Sequence, residues 1–357
     1  MTGLNKMQQV ERVSLTDDFS ISRVVKGGWQ LSTGHSSSHA GEVIHDMWSY
    51  AECGITTFDC ADIYTGVENL IGRFLAERKK RLGHHDDIQV LTKFVPDFDV
   101  LPTITKSYVE KIIDRSLRRL GLERLDMVQF SWWDYRIPRY VESAHWLTEL
   151  QRAGKIRLLS GTNFNASALK ELAQAGLTFS TLQLQYSLLD RRPEKQLQNY
   201  CASVHTRFLC YGTLAGGFLS NAWLNQPEPR TPLANRSLVK YKLILDACGG
   251  WDVFQSLLQE LHKVALRHQT SISNVAARYI LEQKQVAGVI IGAHHAAHLS
   301  SQLEVFAFQL DDQDKQRIRA AQDQLTPLPG DAFDLERDKE GPHGSIMRYN
   351  LNQLATD

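Results

Sequence analysis

The stretch GITTFDCADIYTGVENLIG, residues 54–72, begins as an apolar strand, runs out into Asp59 and Tyr64, and then takes up a helical period. A second such strand, IQVLTKF (88–94), carries Lys93 near its end. Strand, polar residue and helix in that order is the sequence form of a parallel β/α unit. The pattern repeats in ISRVVKG (21–27), LDMVQF (125–130), IRLLSGT (156–162), TLQLQY (181–186), RFLCYG (207–212) and VAGVII (286–291). The helix before LDMVQF carries the stripe Val109, Ile112, Ile113, Leu117 and Leu120, ends in Gly121, and is expected to cover the outer wall of a sheet.

No glycine-rich GxGxxG follows any of these strands, so a closed (β/α)8 TIM barrel is favoured over an open dinucleotide-binding sheet. In a barrel, chemistry belongs at the carboxyl ends of the strands, and Asp59, Lys93, Ser131, Asn163, Gln183 and Tyr211 all fall there. The 357 residues read as one domain, with a core from about 20 to 325 and a C-terminal tail over 326–357. The alternation is interrupted by extra loops at 96–105 and 216–251 and by the tail, which reads equally as a loosely held end or as a pocket wall.

Forty basic and forty acidic side chains cancel, leaving no global field to draw in nucleic acid or an anionic membrane. The run Arg78–Arg81 reads as a solvated helix end. Five scattered cysteines (Cys53, Cys60, Cys201, Cys210 and Cys248), without metal-ligand spacing, read as reduced thiols. The start MTGLNKMQQVERVSL lacks the apolar centre of a signal peptide, and no segment approaches the roughly 18 apolar residues of a membrane span. A cytoplasmic protein acting on a small molecule is expected, with oligomeric state open.

Asp59, Tyr64 and Lys93 make chemical sense as a proton-donating set. A phenol has a pKa of about 10, and a buried ammonium beside it is expected to lower that value, while a carboxylate keeps the ammonium charged. The stretch resembles the aldo-keto reductase family, whose signature appears as Gly54, Asp59, Ala61, Tyr64, Gly66, Glu68 and Gly72, with matching segments to about residue 306. The resemblance implies a nicotinamide-dependent carbonyl reductase with Tyr64 as the acid, Asp59 and Lys93 beside it, and no metal.

By the same resemblance, Thr162, Asn163 and Gln183 match the ligands of the nicotinamide carboxamide and Tyr211 the stacking aromatic. Gly212, Leu214, Gly216 and Leu219 of YGTLAGGFLS match the pyrophosphate loop, and Trp29 and Gly292 complete the cofactor side. At the adenosine end IGAHHAAHLSSQ offers His294 or His295, His298, Ser301 and Gln302 where the family often has an arginine. Protonated histidines with the helix N-terminus are then expected to hold the 2'-phosphate of NADP, NAD being the alternative; the HHxxH spacing also permits a metal or no role at all.

The family's usual fourth catalytic residue, a histidine after the fourth strand, is Ser131 here, a shorter donor that is never cationic. Two conclusions stay open: an NADP(H)-dependent reductase of an aldehyde or ketone, or a divergent member that reduces C=C bonds, moves protons without redox turnover, or serves as a binding or accessory subunit. Trp29, Phe94, Trp132 and Trp133, with Tyr135, are read as an aromatic substrate surface.

Overall fold

Eight parallel strands close into a barrel in the computed structural model, which describes residues 9–32, 39–230, 232–292 and 296–353. Ten strands occur among these residues. β1 (Arg12–Thr16) and β2 (Phe19–Ser22) form an antiparallel hairpin. β3 (Val24–Gly27), β4 (Thr57–Asp59), β5 (Gln89–Phe94), β6 (Leu125–Phe130), β7 (Ile156–Thr162), β8 (Thr181–Gln185), β9 (Arg207–Tyr211) and β10 (Val286–Gly292) follow one another around the barrel, and β10 pairs back onto β3. This is the expected TIM barrel, each strand lying within one of the eight apolar runs except that β10 continues one residue further, to Gly292.

The hairpin is an addition that the sequence reading missed, although RVSLT alternates and Asp17 and Asp18 mark a turn. Phe19 and Ile21 pack in one cluster with Val25, Leu91, Met127, Leu158 and Leu209, closing the barrel at the amino ends of its strands. Arg12 bonds Thr56 and Gln89, and Arg157 bonds the Asp18 carbonyl, so the plug is tied to the rim by polar contacts as well. Period-two alternation then decides the interior: on β5 Leu91 and Lys93 face inward, whereas Val90 and Phe94 pack in the cluster beneath the helices.

The helix Lys106–Leu120 behaves as its stripe predicts. Thr105 caps it by accepting from the Tyr108 amide, Gly121 ends it at φ 67°, and Val109, Ile112, Ile113 and Leu120 are buried. The signature glycine Gly72 lies in the helix Val67–Leu82 where any Cβ would collide with the Arg119 carbonyl oxygen, so its absence of a side chain lets two outer helices touch. The basic run is only partly solvated: Arg78 is buried, paired with Asp87 and lying 4.8 Å from the Trp48 ring centre. Among the described residues no helix is long and apolar enough to cross a membrane.

The tail is docked. The Asp97 carboxylate accepts from the backbone amides of Leu351, Asn352 and Gln353, at 2.8, 2.8 and 2.9 Å. Tyr349 packs edge-on against Trp133 and Phe98. Arg337 donates to the Tyr135 hydroxyl and the Asn163 carbonyl, and Arg236 donates to the Ile346 carbonyl. The tail thus bridges the β5, β6 and β7 sectors of the carboxyl rim and the helix Arg236–Ala247.

A chain ending at residue 331 would strip the buried Asp97 carboxylate of its three amide donors, take Glu336 away from Lys240 and Arg192, and bare Trp133. Its thermal midpoint is expected to fall by roughly 5–10 °C, read by calorimetry. An unchanged midpoint would mean that these contacts contribute nothing.

Candidate active site

β4 ends at Asp59 and β5 brings Lys93 beside it, both nearly inaccessible to water. The Lys93 ammonium donates to Asp59 Oδ1 at 2.8 Å, to Asp59 Oδ2 at 2.7 Å and to the Cys60 carbonyl at 2.8 Å. All three of its protons are therefore placed. Burial pulls Lys93 down, but Asp59 and its hydrogen bonds outweigh that and hold it above the ordinary lysine value.

Tyr64 follows one turn after β4, with its ring centre 5.1 Å from Lys93 Nζ and 5.0 Å from the Trp29 ring in an edge contact. Its acidity differs from the sequence expectation. Burial pushes the phenol up to about 12; Lys93 pulls the other way, and Asp59, Cys60 and Asp62 add to the rise. Lys93 directs its protons at Asp59 and Cys60 rather than at the phenol, and its pull on the ring is smaller than the effect of burial. At neutral pH Tyr64 keeps its proton, the form a donor must have.

The next strands complete the layer. Asp59 Oδ1 also accepts from Gln183 Nε2 at 2.7 Å and from Gln129 Nε2 at 3.0 Å, and Gln183 Nε2 reaches Gln129 Oε1 at 2.8 Å. Asn163, at φ 61° just past β7, accepts at Oδ1 from the Tyr211 hydroxyl at 2.8 Å. Thr162 is buried at the end of β7. Ser131, one residue beyond β6, is buried, and its backbone amide donates to the Phe94 carbonyl. Asp59, Lys93, Gln183, Asn163 and Tyr211 are thus joined through direct contacts, and Trp29 and Tyr64 pack against each other at the same rim.

The segment expected to cradle a pyrophosphate packs against the helix Arg236–Ala247. Gly212 and Gly216 have positive φ as a tight loop requires, but Tyr241 of the helix Arg236–Ala247 occupies the space a side chain would take at either, 2.8 Å from a built Gly216 Cβ. Gly217, at φ 104°, has nothing within 4 Å of that position and is open. Leu219 is wholly buried, and Leu214 is partly buried against the core. Gly292 packs on the Gln30 amide, and Gln302 Oε1 accepts from Tyr50. His298 is exposed, just before a five-residue helix Leu299–Leu303; His294 and His295 lie outside the described residues.

The aromatic substrate surface needs correction. Phe94 is a fully buried strand residue stacked on Phe130 with centres 5.9 Å apart. Trp132 is 1% exposed and spends its indole N–H on the Asp134 and Ile137 carbonyls. Trp133 donates to the Pro96 carbonyl and supports Tyr349 of the tail. Packing accounts for these three rings, and Trp29 remains the aromatic against Tyr64.

Residues absent from the sequence reading also reach this end of the barrel. Lys240 places its ammonium 5.2 Å from the Tyr211 ring centre and 3.4 Å from Glu336 Oε1. Arg192 binds Asp190 through both carboxylate oxygens, at 2.9 and 2.6 Å, and lies 3.4 Å from Glu336 Oε2. Glu336 comes from the tail, so nothing in its local sequence marks it. Gln129 was detectable, being the polar residue at the inward parity of LDMVQF and the partner of Lys93 across β5 and β6.

A parallel barrel with this set at its carboxyl rim has the architecture of a barrel oxidoreductase. The chain belongs to the aldo/keto reductase family, whose model matches residues 23–323. The NADH-specific methylglyoxal reductase of Escherichia coli is 23% identical over 328 residues, covering 85% of this chain and 95% of that protein. An NADP(+) aldo-keto reductase, yakc, of Schizosaccharomyces pombe is 25% identical over 307 residues, covering 83% and 86%. The solved glycerol dehydrogenase of Gluconobacter oxydans superposes with a TM-score of 0.74 at 23% identity, covering 91% and 98%, a likeness that carries the fold.

Removing one member of the buried pair strands the other. Lys93→Met leaves Asp59 charged among dry neighbours and is expected to cost about 3–5 kcal/mol in urea denaturation; a loss below about 1 kcal/mol would show that water reaches the carboxylate. Asp62, two residues before Tyr64, is raised by burial to about 7, with the Val95 amide, Arg115 and Asn352 opposing and Glu68 adding. A carboxyl held above its unfolded value of about 4 favours folding while it keeps its proton, so its contribution is lost as pH rises through about 7. The stability difference between wild type and Asp62→Asn should therefore move in favour of the variant between about pH 5 and pH 8, followed by denaturation at each pH.

Proposed function

We propose that the protein is an NADP(H)-dependent oxidoreductase that reduces a small aldehyde or ketone, or oxidises the alcohol, with Tyr64 as the proton donor. The carrying observation is the pair of amides beside it. Both Gln183 Nε2 protons are committed, to Asp59 and Gln129, so Gln183 presents Oε1 as an acceptor. Asn163 Oδ1 is committed to Tyr211, so Asn163 presents Nδ2 as a donor. The backbones of the two residues are joined by the Asn163 amide donating to the Gln183 carbonyl at 2.8 Å. One acceptor and one donor side by side are the complement of a primary carboxamide such as that of nicotinamide.

These groups, with Thr162 and Tyr211, would orient the ring; the bound cofactor supplies the hydride. Tyr64 gives its proton to the carbonyl oxygen, and Lys93, fixed by Asp59, meets the phenolate charge that remains. Ser131 would add one neutral hydrogen bond to the same oxygen. Gly217 would admit a phosphate, Tyr241 lies against the neighbouring Gly212 and Gly216, and a ring stacked on the face of Tyr211 that Lys240 covers would require Lys240 to withdraw. Cofactor entry would therefore involve rotation of the Tyr241 and Lys240 side chains. For the adenosine end, His294 and His298 are proposed to favour NADP; relatives named for NADH and for NADP(+) both occur.

The second reading, a divergent or catalytically impaired member, is favoured by Ser131 and by the Lys240 and Tyr241 contacts. Two variants separate the readings. Tyr64→Phe should lose at least about 10²-fold in turnover of a carbonyl substrate while retaining NADPH binding by fluorescence titration. Ser131→His should raise turnover by about tenfold or more. No NADPH oxidation in wild type or Ser131→His, across a panel of aldehydes and ketones, would reject the reductase. His298→Gln should weaken NADPH binding and leave NADH binding unchanged, read by fluorescence titration; equal losses for both dinucleotides would remove the phosphate role of the histidine.

A further inference from the structure

We infer that Gln129 is a positioning residue: with Asp59 it fixes the amide of Gln183 so that the site takes a nicotinamide carboxamide and rejects the corresponding carboxylate. The inference rests on the cofactor reading above and deepens it. Gln129 is wholly buried on β6, opposite Lys93 in the strand register. Its amide orientation follows from charge. Asp59, held by the Lys93 ammonium, can only accept, so Gln129 must turn Nε2 toward it, 3.0 Å away. That leaves Gln129 Oε1 facing Gln183 Nε2 at 2.8 Å, while the other Gln183 Nε2 proton meets the same carboxylate oxygen at 2.7 Å.

Two acceptors thus clamp one NH2 group, and the remaining polar atom of Gln183, Oε1, has no hydrogen-bond partner among the described residues. A carboxamide N–H satisfies that acceptor, whereas a ring carboxylate would set an anion against it. Without the Gln129 clamp, Gln183 is held from one side and can swing its amide, so recognition loosens specifically at the carboxamide.

The test compares dissociation constants for NADP+ and for nicotinic acid adenine dinucleotide phosphate, which differ only in that group. Wild type should prefer the amide by at least about tenfold. Gln129→Met should reduce that preference at least about threefold, and Gln129→Asn, one methylene too short to span both partners, should do the same if the methionine variant is poorly folded. Gln129→Glu, which keeps an acceptor toward Gln183, should retain the preference despite any loss of thermal stability. In a Gln183→Met background, Gln129→Met should change nothing further in the ratio.

A merely structural Gln129 would weaken both dinucleotides by one factor and leave the ratio unchanged, which overturns the inference. Equal binding of both by wild type overturns it too, with the cofactor reading left standing. Failure of wild type to bind either dinucleotide would remove the cofactor reading and this inference together.

Discussion

The charged pair Asp59–Lys93 is the constraint around which the carboxyl end of the barrel is arranged. Below it, Val25, Leu91, Met127, Leu158 and Leu209 fill the interior with apolar side chains against the N-terminal plug. One step up the same strands, the inward positions turn polar because two charges removed from water demand complete hydrogen bonding. The carboxylate therefore draws in Gln129 and Gln183, and the ammonium uses the Cys60 carbonyl for its third proton. Each of those partners is then committed in orientation. Electrostatic need at one pair thus propagates around the rim as a fixed pattern of donors and acceptors.

A second network ties the tail to the same mouth. Glu336 reaches Lys240 and Arg192 at 3.4 Å, longer than a tight charge-assisted hydrogen bond, while Arg192 is held closely by Asp190. Burial and the neighbouring cations act oppositely on Glu336, and Lys240 and Arg192 leave it below its ordinary value. Lys240 is pulled down by burial despite Glu336. Of the two partners Arg192 is firmly placed and Lys240 loosely, which makes Lys240 the member able to leave Tyr211. Since Glu336 belongs to the tail and Lys240 to the helix carrying Tyr241, the contact ties that helix to the tail.

The barrel was legible because its signal is period-based: eight apolar runs, six of them with a polar residue at the carboxyl end, need no tertiary information. Asp59, Lys93, Tyr64, Asn163, Gln183 and Tyr211 were legible for the same reason, with the family pattern supplying their roles. The acidity of Tyr64 was not, because its sign depends on whether burial or Lys93 dominates, and the depth of burial is set by the packing around the ring. Phe94, Trp132 and Trp133 were misread because a ring near a strand end looks alike whether it turns to the mouth or to the helices. Glu336 and Lys240 meet only through the tail's path, which no local pattern encodes.

Ser131 sharpens what the remaining groups must do. A histidine there would offer a donor that can carry charge; a serine offers a neutral one, so positive potential near the reacting oxygen has to come from Lys93. Lys93 is kept charged by Asp59, yet the same carboxylate offsets its field at Tyr64. Strengthening Asp59's other hydrogen bonds relieves that conflict, because a carboxylate that shares its charge with Gln129 and Gln183 opposes the ammonium less. On the proposed mechanism the two buried glutamines would then serve the proton donor as well as the amide recognition, through one set of hydrogen bonds around Asp59.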